Sequence, residues 1–408
     1  MLALVVGACA PEGDAELKVV VLGGAGLIGR AVVRDLAEQR DVELTIADAN
    51  PAAAAEIARW AGGDRVAVRE LDVTDERALV GVLSGAGCAV NAVNYYHNLT
   101  VMGGCLRAGV PYVDLGGLFH MTRKQMELDD DFRKAGVTAI LGMGAAPGVT
   151  NLQAALAARG LQSVESIRIF DGAVPIEEEG INWGYSLATI LDEITMNPVT
   201  FRDGQFLELE PLAEPELYPF SPPVGAQTVH HSLHSEIATL PLTFAERDVR
   251  EVSYKINHFG LALDVFERLK LLADLGLASK EPLAVAGTSL RPRDVLIAVL
   301  NRQVSPATQP VEETSEELVT EVRGRDSEGA VKVTVRTMAP GKPNWGLSGD
   351  ALVTGVPSAI AAVRIASGRL RAPGVNAPES VVEPEAFFRE MATRGAATKI
   401  AVERSVTG

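Results

Sequence analysis

The sequence predicts an α/β protein in two parts: an N-terminal doubly wound parallel sheet of the Rossmann type, then an α+β domain on a mixed or antiparallel sheet. Three observations carry this. Apolar strand-like runs alternate with helical segments through residue 144, and the first run feeds a glycine turn that opens a helix (KVVVLGGAGLIG, residues 18–29). Beyond Pro147 strand-like runs recur without a crossover helix between each pair. The 408-residue chain is 47% apolar, enough for two well-formed cores.

The first 17 residues, beginning MLALVVGACA, resemble a truncated leader but lack a basic segment, and read as a disordered or mis-assigned extension. Val19 to Leu22 then suits a buried parallel strand. Gly24, Gly26 and Gly29 match the G-x-G-x-x-G spacing. Gly24 is assigned the tight turn, Gly26 the close approach of a pyrophosphate, and Gly29 the packing of a helix from Leu27 to Glu38; Ala25, Leu27 and Ile28 complete the cradle at the helix N-terminus. A second strand, Leu44 to Ala47, ends in Asp48, nineteen residues after Gly29. A carboxylate there accepts both ribose hydroxyls and repels a 2′-phosphate, and no Arg or Lys follows before Arg59, so NAD is preferred over NADP.

Pro51 to Ala61 reads as a helix, Val66 to Leu71 as a third strand, and Thr74 or Asp75 caps the next helix. Cys88 to Val93, Tyr112 to Asp114 and Thr138 to Leu141 are further strands, with a helix from Asn98 to Ala108. Ligands of doubly wound sheets sit outside the carboxyl ends of the strands. That places Asp72 and Val73 near the adenine, and Asn91, Ala92, Val93 and Asn94 towards the nicotinamide, followed by Asp114 to Gly117. The dinucleotide domain spans 18–144 and a substrate and oligomerisation domain 145–354. In the second domain, Asn151 to Arg159 reads as a helix and Ser166 to Phe170 as a strand, whereas Glu208 to Pro223 reads as a loop. Strands follow at Thr228–Leu233, Val249–Ile256, Glu317–Arg323 and Ala330–Arg336. Residues 355–408, starting with a helix from Pro357 to Gly368, return to the first domain.

Charge excludes several functions. A net charge of −16 argues against nucleic acid or an anionic membrane as partner. Cys9, Cys88 and Cys105 form neither a C-x-x-C motif nor a Cys/His cluster, so a reducing cytoplasm is expected and no metal site is assigned.

Taken together, NAVNYYHN (91–98), AGVPYVDLGG (108–117), GMGAAPGVTN (142–151) and TGVPSAIAAVRIASGRL (354–370) resemble the saccharopine dehydrogenase family. RPRDVLIAVL (291–300) and GVNAPE (374–379) are similar to its lysine 6-dehydrogenase-like branch. The resemblance implies an oxidoreductase acting on a carbon–nitrogen bond of an amino acid, such as oxidative deamination of an ω-amino group or the reverse imine reduction, and a homodimer. It also implies that the A-x-P-G-x-T-N loop enters the substrate domain, with Gly117, Pro147, Gly148 and Asn151 against the substrate. Saccharopine-type coupling of an amino acid and a 2-oxo acid is an alternative; a non-catalytic NAD-binding sensor is another. A short-chain dehydrogenase would use Tyr-x-x-x-Lys, and none of the six tyrosines has Lys four residues on.

His97 and Asp114 are the candidates for managing the amine proton. An imidazole suits general acid/base work, although His97 or Asn98 could equally cap the following helix; Asp114 could bind the substrate ammonium or anchor the turn at Gly116-Gly117. Glu236 and Thr239 are expected substrate contacts from the second domain. His230 and His234 would share one face of a strand, but lack partners at zinc spacing. Trp183 and Tyr185 of NWGY read as ligand cover or core, and Arg291 and Arg293 as a carboxylate clamp or a helix cap.

Overall fold

A computed structural model describes residues 17–174, 183–257, 261–303 and 310–404. Residues 1–16 of the expected extension and Asn182 of NWGY lie outside the described residues.

The first half runs β1 (Leu17–Leu22), α1 (Gly29–Ala37), β2 (Val42–Asp48), α2 (Pro51–Ala61), β3 (Val66–Glu70), α3 (Glu76–Leu83), β4 (Cys88–Asn91), α4 (Asn98–Ala108), β5 (Tyr112–Asp114), α5 (Leu118–Met126), α6 (Asp129–Ala135) and β6 (Thr138–Ile140). Local chemistry sets these boundaries. The Asn50 side chain accepts the Ala53 N–H and Pro51 fills the first helical position of α2, while Asp75 accepts the N–H groups of Arg77 and Ala78 to start α3. α1 begins two residues later than expected because Leu27 and Ile28 remain in the turn.

The second half runs α7 (Val149–Ala157), β7 (Ser163–Ala173), α8 (Leu187–Thr195), β8 (Val199–Arg202), β9 (Gln205–Glu208), β10 (Glu216–Pro219), β11 (Ala226–His231), α9 (Glu236–Thr243), β12 (Glu251–Ile256), α10 (Leu263–Leu272), β13 (Leu283–Val285), β14 (Thr288–Leu290), α11 (Pro292–Asn301), β15 (Ser315–Asp326) and β16 (Gly329–Pro340). The chain closes with α12 (Gly349–Ala366), β17 (Gly374–Asn376), α13 (Pro378–Val381), α14 (Pro384–Thr393) and β18 (Ala397–Arg404).

The first sheet is parallel throughout, in the order β17-β6-β5-β4-β1-β2-β3. Its strand order reverses between β1 and β4, which opens a crevice at their carboxyl ends. The second sheet, β10-β11-β12-β7-β15-β16-β18 with β8 and β9 branching from β12, is mixed: β12 and β7 are parallel and the other pairs antiparallel.

Three expectations change. The segment 208–223, expected as a loop, contains β10, whose Tyr218 stacks on Phe170 at 3.9 Å between ring centroids. The expected Pro357–Gly368 helix starts eight residues earlier. Thr354-Gly355, read as its boundary, lies inside α12, where a Cβ on Gly355 would fall 2.6 Å from Ala31 Cβ; the glycine serves helix–helix contact with α1. Finally, residues 355–408 do not simply return to the first half: β17 joins the first sheet beside β6, and β18 joins the second beside β16. By length and composition α12 could cross a membrane, but 78% of it is buried, with its flanks against α1, β1, β4, β15 and β16.

Candidate active site

The carboxyl ends of the first sheet and the facing edge of the second half enclose a cavity of about 970 Å³. Gly23, not Gly24, carries the left-handed turn, with φ 75°. Gly24 instead permits close packing, since a Cβ there would lie 2.9 Å from Ile46 Cγ2, and a Cβ on Gly29 would lie 2.1 Å from the Gly23 carbonyl oxygen. The backbone of Ala25, Gly26, Leu27 and Ile28 faces the cavity. Asp48 is tied to this turn: Oδ2 accepts the Ala25 N–H at 3.0 Å and Oδ1 the Asn50 N–H at 2.9 Å. Asp72 and Val73 form the next part of the wall, where two hydrogen bonds from Thr74 hold the Asp72 carboxyl below the usual range. A glycine cradle with no room for side chains, followed by an acid at the end of β2, fits a dinucleotide.

Ala92, Val93 and Asn94 continue the wall, as does His97. Asn91 does not. It is buried and donates to Asn98 at 2.9 Å and to the Tyr112 hydroxyl at 3.1 Å. His97 makes no capping hydrogen bond through its side chain and lies within electrostatic reach of Asp72, on the dinucleotide side of the cleft. It borders the cavity beside Asn94 and Tyr95.

Asp114 is the larger correction. Its Oδ1 accepts the N–H groups of Gly142 (2.6 Å) and Gly116 (3.0 Å), and its Oδ2 accepts from Gln125 (2.6 Å), Tyr112 (2.8 Å) and Asn98 (3.3 Å). Burial raises its pKa, against the lowering pull of these bonds. Five donors saturate a carboxylate that is 1% exposed and forms no part of the cavity wall, so Asp114 clamps β5 to the Gly116 and Gly142 turns.

Of the other expected substrate contacts, Gly117 and Pro147 line the cavity, whereas Gly148, Asn151, Glu236 and Thr239 do not. Gly148, at φ 122°, has Gly144 O only 2.3 Å from where a Cβ would sit. Asn151 accepts the Gly148 N–H at 3.0 Å and donates to Thr239 at 3.2 Å, so these three brace the loop from behind. Glu236 accepts from Thr150 at 2.8 Å and grips His234 Nδ1 at 2.9 Å.

At this end the wall is made of groups that the sequence reading passed over. Asp171 lies two residues before the end of β7, Glu193 sits on α8, Glu316 on β15 and Asp350 on α12, and all four line the cavity. Asp171 Oδ2 accepts the Tyr254 hydroxyl at 3.0 Å. Burial raises its pKa to about 7, against the lowering pull of the Tyr254 hydrogen bond and the His234 cation. Burial and the adjacent Asp171 and Asp350 charges push Glu316 well up, so the Asp171–Glu316 pair retains a proton near neutrality. His234 stacks on Tyr254 at 3.7 Å and sits between Glu236 and Glu193, the latter 3.7 Å from Nε2. Burial works against its charge, but the two glutamates outweigh it and raise the pKa to about 10. Tyr185 donates to Glu193, and Trp183, 5% exposed, helps to close the wall.

The histidines at 230, 231 and 234 make separate contacts. His231 pairs with Glu214 at 3.1 Å, His230 stacks near Phe266, and His234 lies beyond the end of β11. The expected arginine clamp is also absent from the wall: Arg291 pairs with Asp294, and Arg293 reaches Asp192 at 3.0 Å. Asp192, wholly buried, also receives Tyr95 at 2.7 Å, Tyr96, and Lys280 at 2.8 Å. Asn94 donates to Ser186 at 3.2 Å. α8 is thereby docked on the dinucleotide half through Asp192 while the next residue, Glu193, faces the cavity.

A glycine cradle with its acid, opening onto a walled pocket of ionisable groups, defines a nicotinamide-dinucleotide-dependent oxidoreductase. Family comparison agrees. The family descriptions "Saccharopine dehydrogenase NADP binding domain" and "Saccharopine dehydrogenase C-terminal domain" match residues 19–140 and 144–396. The chain belongs to the saccharopine dehydrogenase family. Carboxynorspermidine synthase of Vibrio cholerae is 25% identical over 91% of this chain and 94% of its own length, and carboxyaminopropylagmatine dehydrogenase of Synechocystis 24% over 92% and 96%. Apo saccharopine dehydrogenase (L-Glu forming) from Saccharomyces cerevisiae shares the fold, with a TM-score of 0.69 at 20% identity over 95% of this chain and all of that one.

Proposed function

We propose that this protein joins a cationic amine to a carbonyl partner through an imine, and that hydride passes between the nicotinamide and the resulting carbon–nitrogen bond. The observation that carries the reading is the substrate wall. It sets the carboxyl groups of Asp171, Glu193, Glu316 and Asp350 against two cations, His234 and Arg30, with no lysine among the described residues. Such a wall suits an ammonium group and is ill suited to a product with several carboxylates, which disfavours saccharopine itself. The names of the two relatives matched over nine-tenths of the chain describe a carboxylated polyamine and a carboxylated agmatine derivative. These support coupling over deamination of lysine.

When bound, the dinucleotide supplies or takes up the hydride. The chain's own residues hold and protonate. The ionised carboxyl of the Asp171–Glu316 pair takes a proton from the entering ammonium, the freed amine adds to the carbonyl, and the pair returns a proton to the carbinolamine hydroxyl as it leaves as water. Tyr254 and His234 fix the orientation of this pair, and Trp183 and Tyr185 limit water. With NADH present, the diamine 1,3-diaminopropane or agmatine plus an amino-acid semialdehyde is expected to drive oxidation at 340 nm, whereas lysine with NAD gives little reduction. Turnover with lysine alone and silence with every amine–aldehyde pair would sink the coupling reading; silence in both directions with dinucleotide bound would favour a sensor.

The preference for NAD is part of the same proposal. The family description carries the name NADP, yet Asp48 to Asn50 and Leu71 to Val73, which wall the far end of the dinucleotide cleft, include two carboxylates and no cation. Asp48→Ala is expected to weaken NADH binding roughly tenfold, about 1.4 kcal/mol, and to narrow its advantage over NADPH. Tighter binding of NADPH than NADH by the unaltered protein, measured by fluorescence titration, would reverse this assignment.

A further inference from the structure

Among the described residues that line the cavity there is one guanidinium, Arg30. It is the second residue of α1, directly after Gly29, and its backbone N–H reaches the Gly26 carbonyl at 3.1 Å. Its side chain stands apart from the other arginine on this face. One turn further on, Arg34 pairs with Glu38, donates to the Ala61 carbonyl at 2.8 Å and lies over Trp60 and Trp345. Arg30 has no such outlet: its Nε is buried with no hydrogen-bond partner, and Asp350, the carboxylate that senses its charge, is not in ion-pair contact with it. A buried guanidinium N–H without an acceptor is costly to keep. In a protein with 53 acidic residues against 37 basic ones, an acceptor from the chain itself would have been easy to provide.

The location says what could supply one. Arg30 lies at the seam between the glycine turn and the substrate wall, with Ser348, Asp350, Ala351 and Thr354 of the α12 start on the same cavity surface. From there the carboxylates run on through Asp350 and Glu316 to Asp171. We infer that Arg30 is the anion-binding residue of this cleft, receiving an anionic oxygen group that a ligand brings to the seam. Two ligands could carry that chemistry here: the dinucleotide through its pyrophosphate, or the carbonyl reactant through a carboxylate. The second source rests on the coupling reaction proposed above; the first does not. A planar fork of N–H donors suits either group, and a lysine would supply charge without the paired geometry.

The test uses Arg30→Met and Arg30→Lys in the full chain, with thermal melts to confirm folding. Binding of NADH alone, and of succinate to the NADH complex, is measured by calorimetry, which needs no turnover and so stands whether or not the coupling reaction is found. A loss of at least tenfold in NADH affinity for Arg30→Met assigns the pyrophosphate. A comparable loss for succinate, with NADH binding within twofold of the unaltered protein, assigns the carboxylate. In either case Arg30→Lys is expected to recover part of the loss. A folded Arg30→Met protein with NADH binding within twofold and no difference towards succinate overturns the inference.

Discussion

Asp171→Asn is expected to lower kcat/KM for the amine roughly 10- to 100-fold, from about 1.5–3 kcal/mol for a hydrogen bond to a charged group. It is also expected to flatten the acidic limb of the 1/KM profile for the amine. The sign follows from the raised pKa. Below about 7 the carboxyl keeps its proton and offers an ammonium no charge, so affinity for the amine rises as the pH passes upward through that value. Asparagine removes the titration. The same substitution should stabilise the apo protein at pH 8. The unfolded carboxyl ionises near 3.8 and the folded one near 7, so between these values the folded state binds more protons and loses stability as the pH rises. At pH 8 that loss is complete, and Asp171→Asn is expected to raise Tm by roughly 2–4 °C, a gain in stability with a loss of function. An unchanged pH profile of 1/KM, alongside near-normal turnover, would remove Asp171 from the amine site.

Gly29→Ala is expected to abolish measurable NADH binding. The new Cβ would stand 2.1 Å from the Gly23 carbonyl oxygen and 2.9 Å from the Gly23 carbonyl carbon and the Gly24 Cα, all backbone atoms that no rotamer change can move. Relief requires the turn to open or α1 to shift, and either displaces Ala25 and with it the N–H that Asp48 accepts. If the variant fails to fold, Gly26→Ala separates the two effects. Its Cβ meets only the Gly23 oxygen, at 3.2 Å, so the fold should survive while a phosphate loses room. Binding of NADH within threefold of the unaltered protein by a folded Gly29→Ala would show that the turn is not the dinucleotide cradle.

The first sheet was legible because its determinants are local. Short β-branched runs, glycine turns and helix caps fix β1 to β6 within a residue or two, and the acid after β2 can be seen without knowing what it faces. The site was harder for a related reason. Three apolar strands carry an aspartate at or near the carboxyl end, at Asp48, Asp114 and Asp171, and along the chain they look alike. Only the packing separates them: the first accepts from the glycine turn, the second is saturated by five buried donors, and the third looks into the cavity beside Glu316. Asp114 attracted attention because it borders Gly116-Gly117, and Asp171 drew none, since its strand was read as ending at Phe170. Glu193, Glu316 and Asp350 lie on three elements far apart in sequence. No spacing rule links them, and their common signal, an acidic residue bordered by apolar ones, is too frequent to select.

The path of the chain between the two sheets has a consequence for how the molecule can be divided or come apart. The polypeptide leaves the first half after β6, comes back in α12 and β17, and departs again to end in β18. A fragment cut at residue 144 would therefore lose its seventh strand and the helix packed on β1 and β4, leaving β6 as a bare edge. A fragment that begins there fares no better, because it carries an apolar helix whose partner α1 has been removed. The two halves are braided rather than joined in series. Unfolding one strips the other of cover, so the cleft is held by chain that crosses between the halves more than once and not by a single linker.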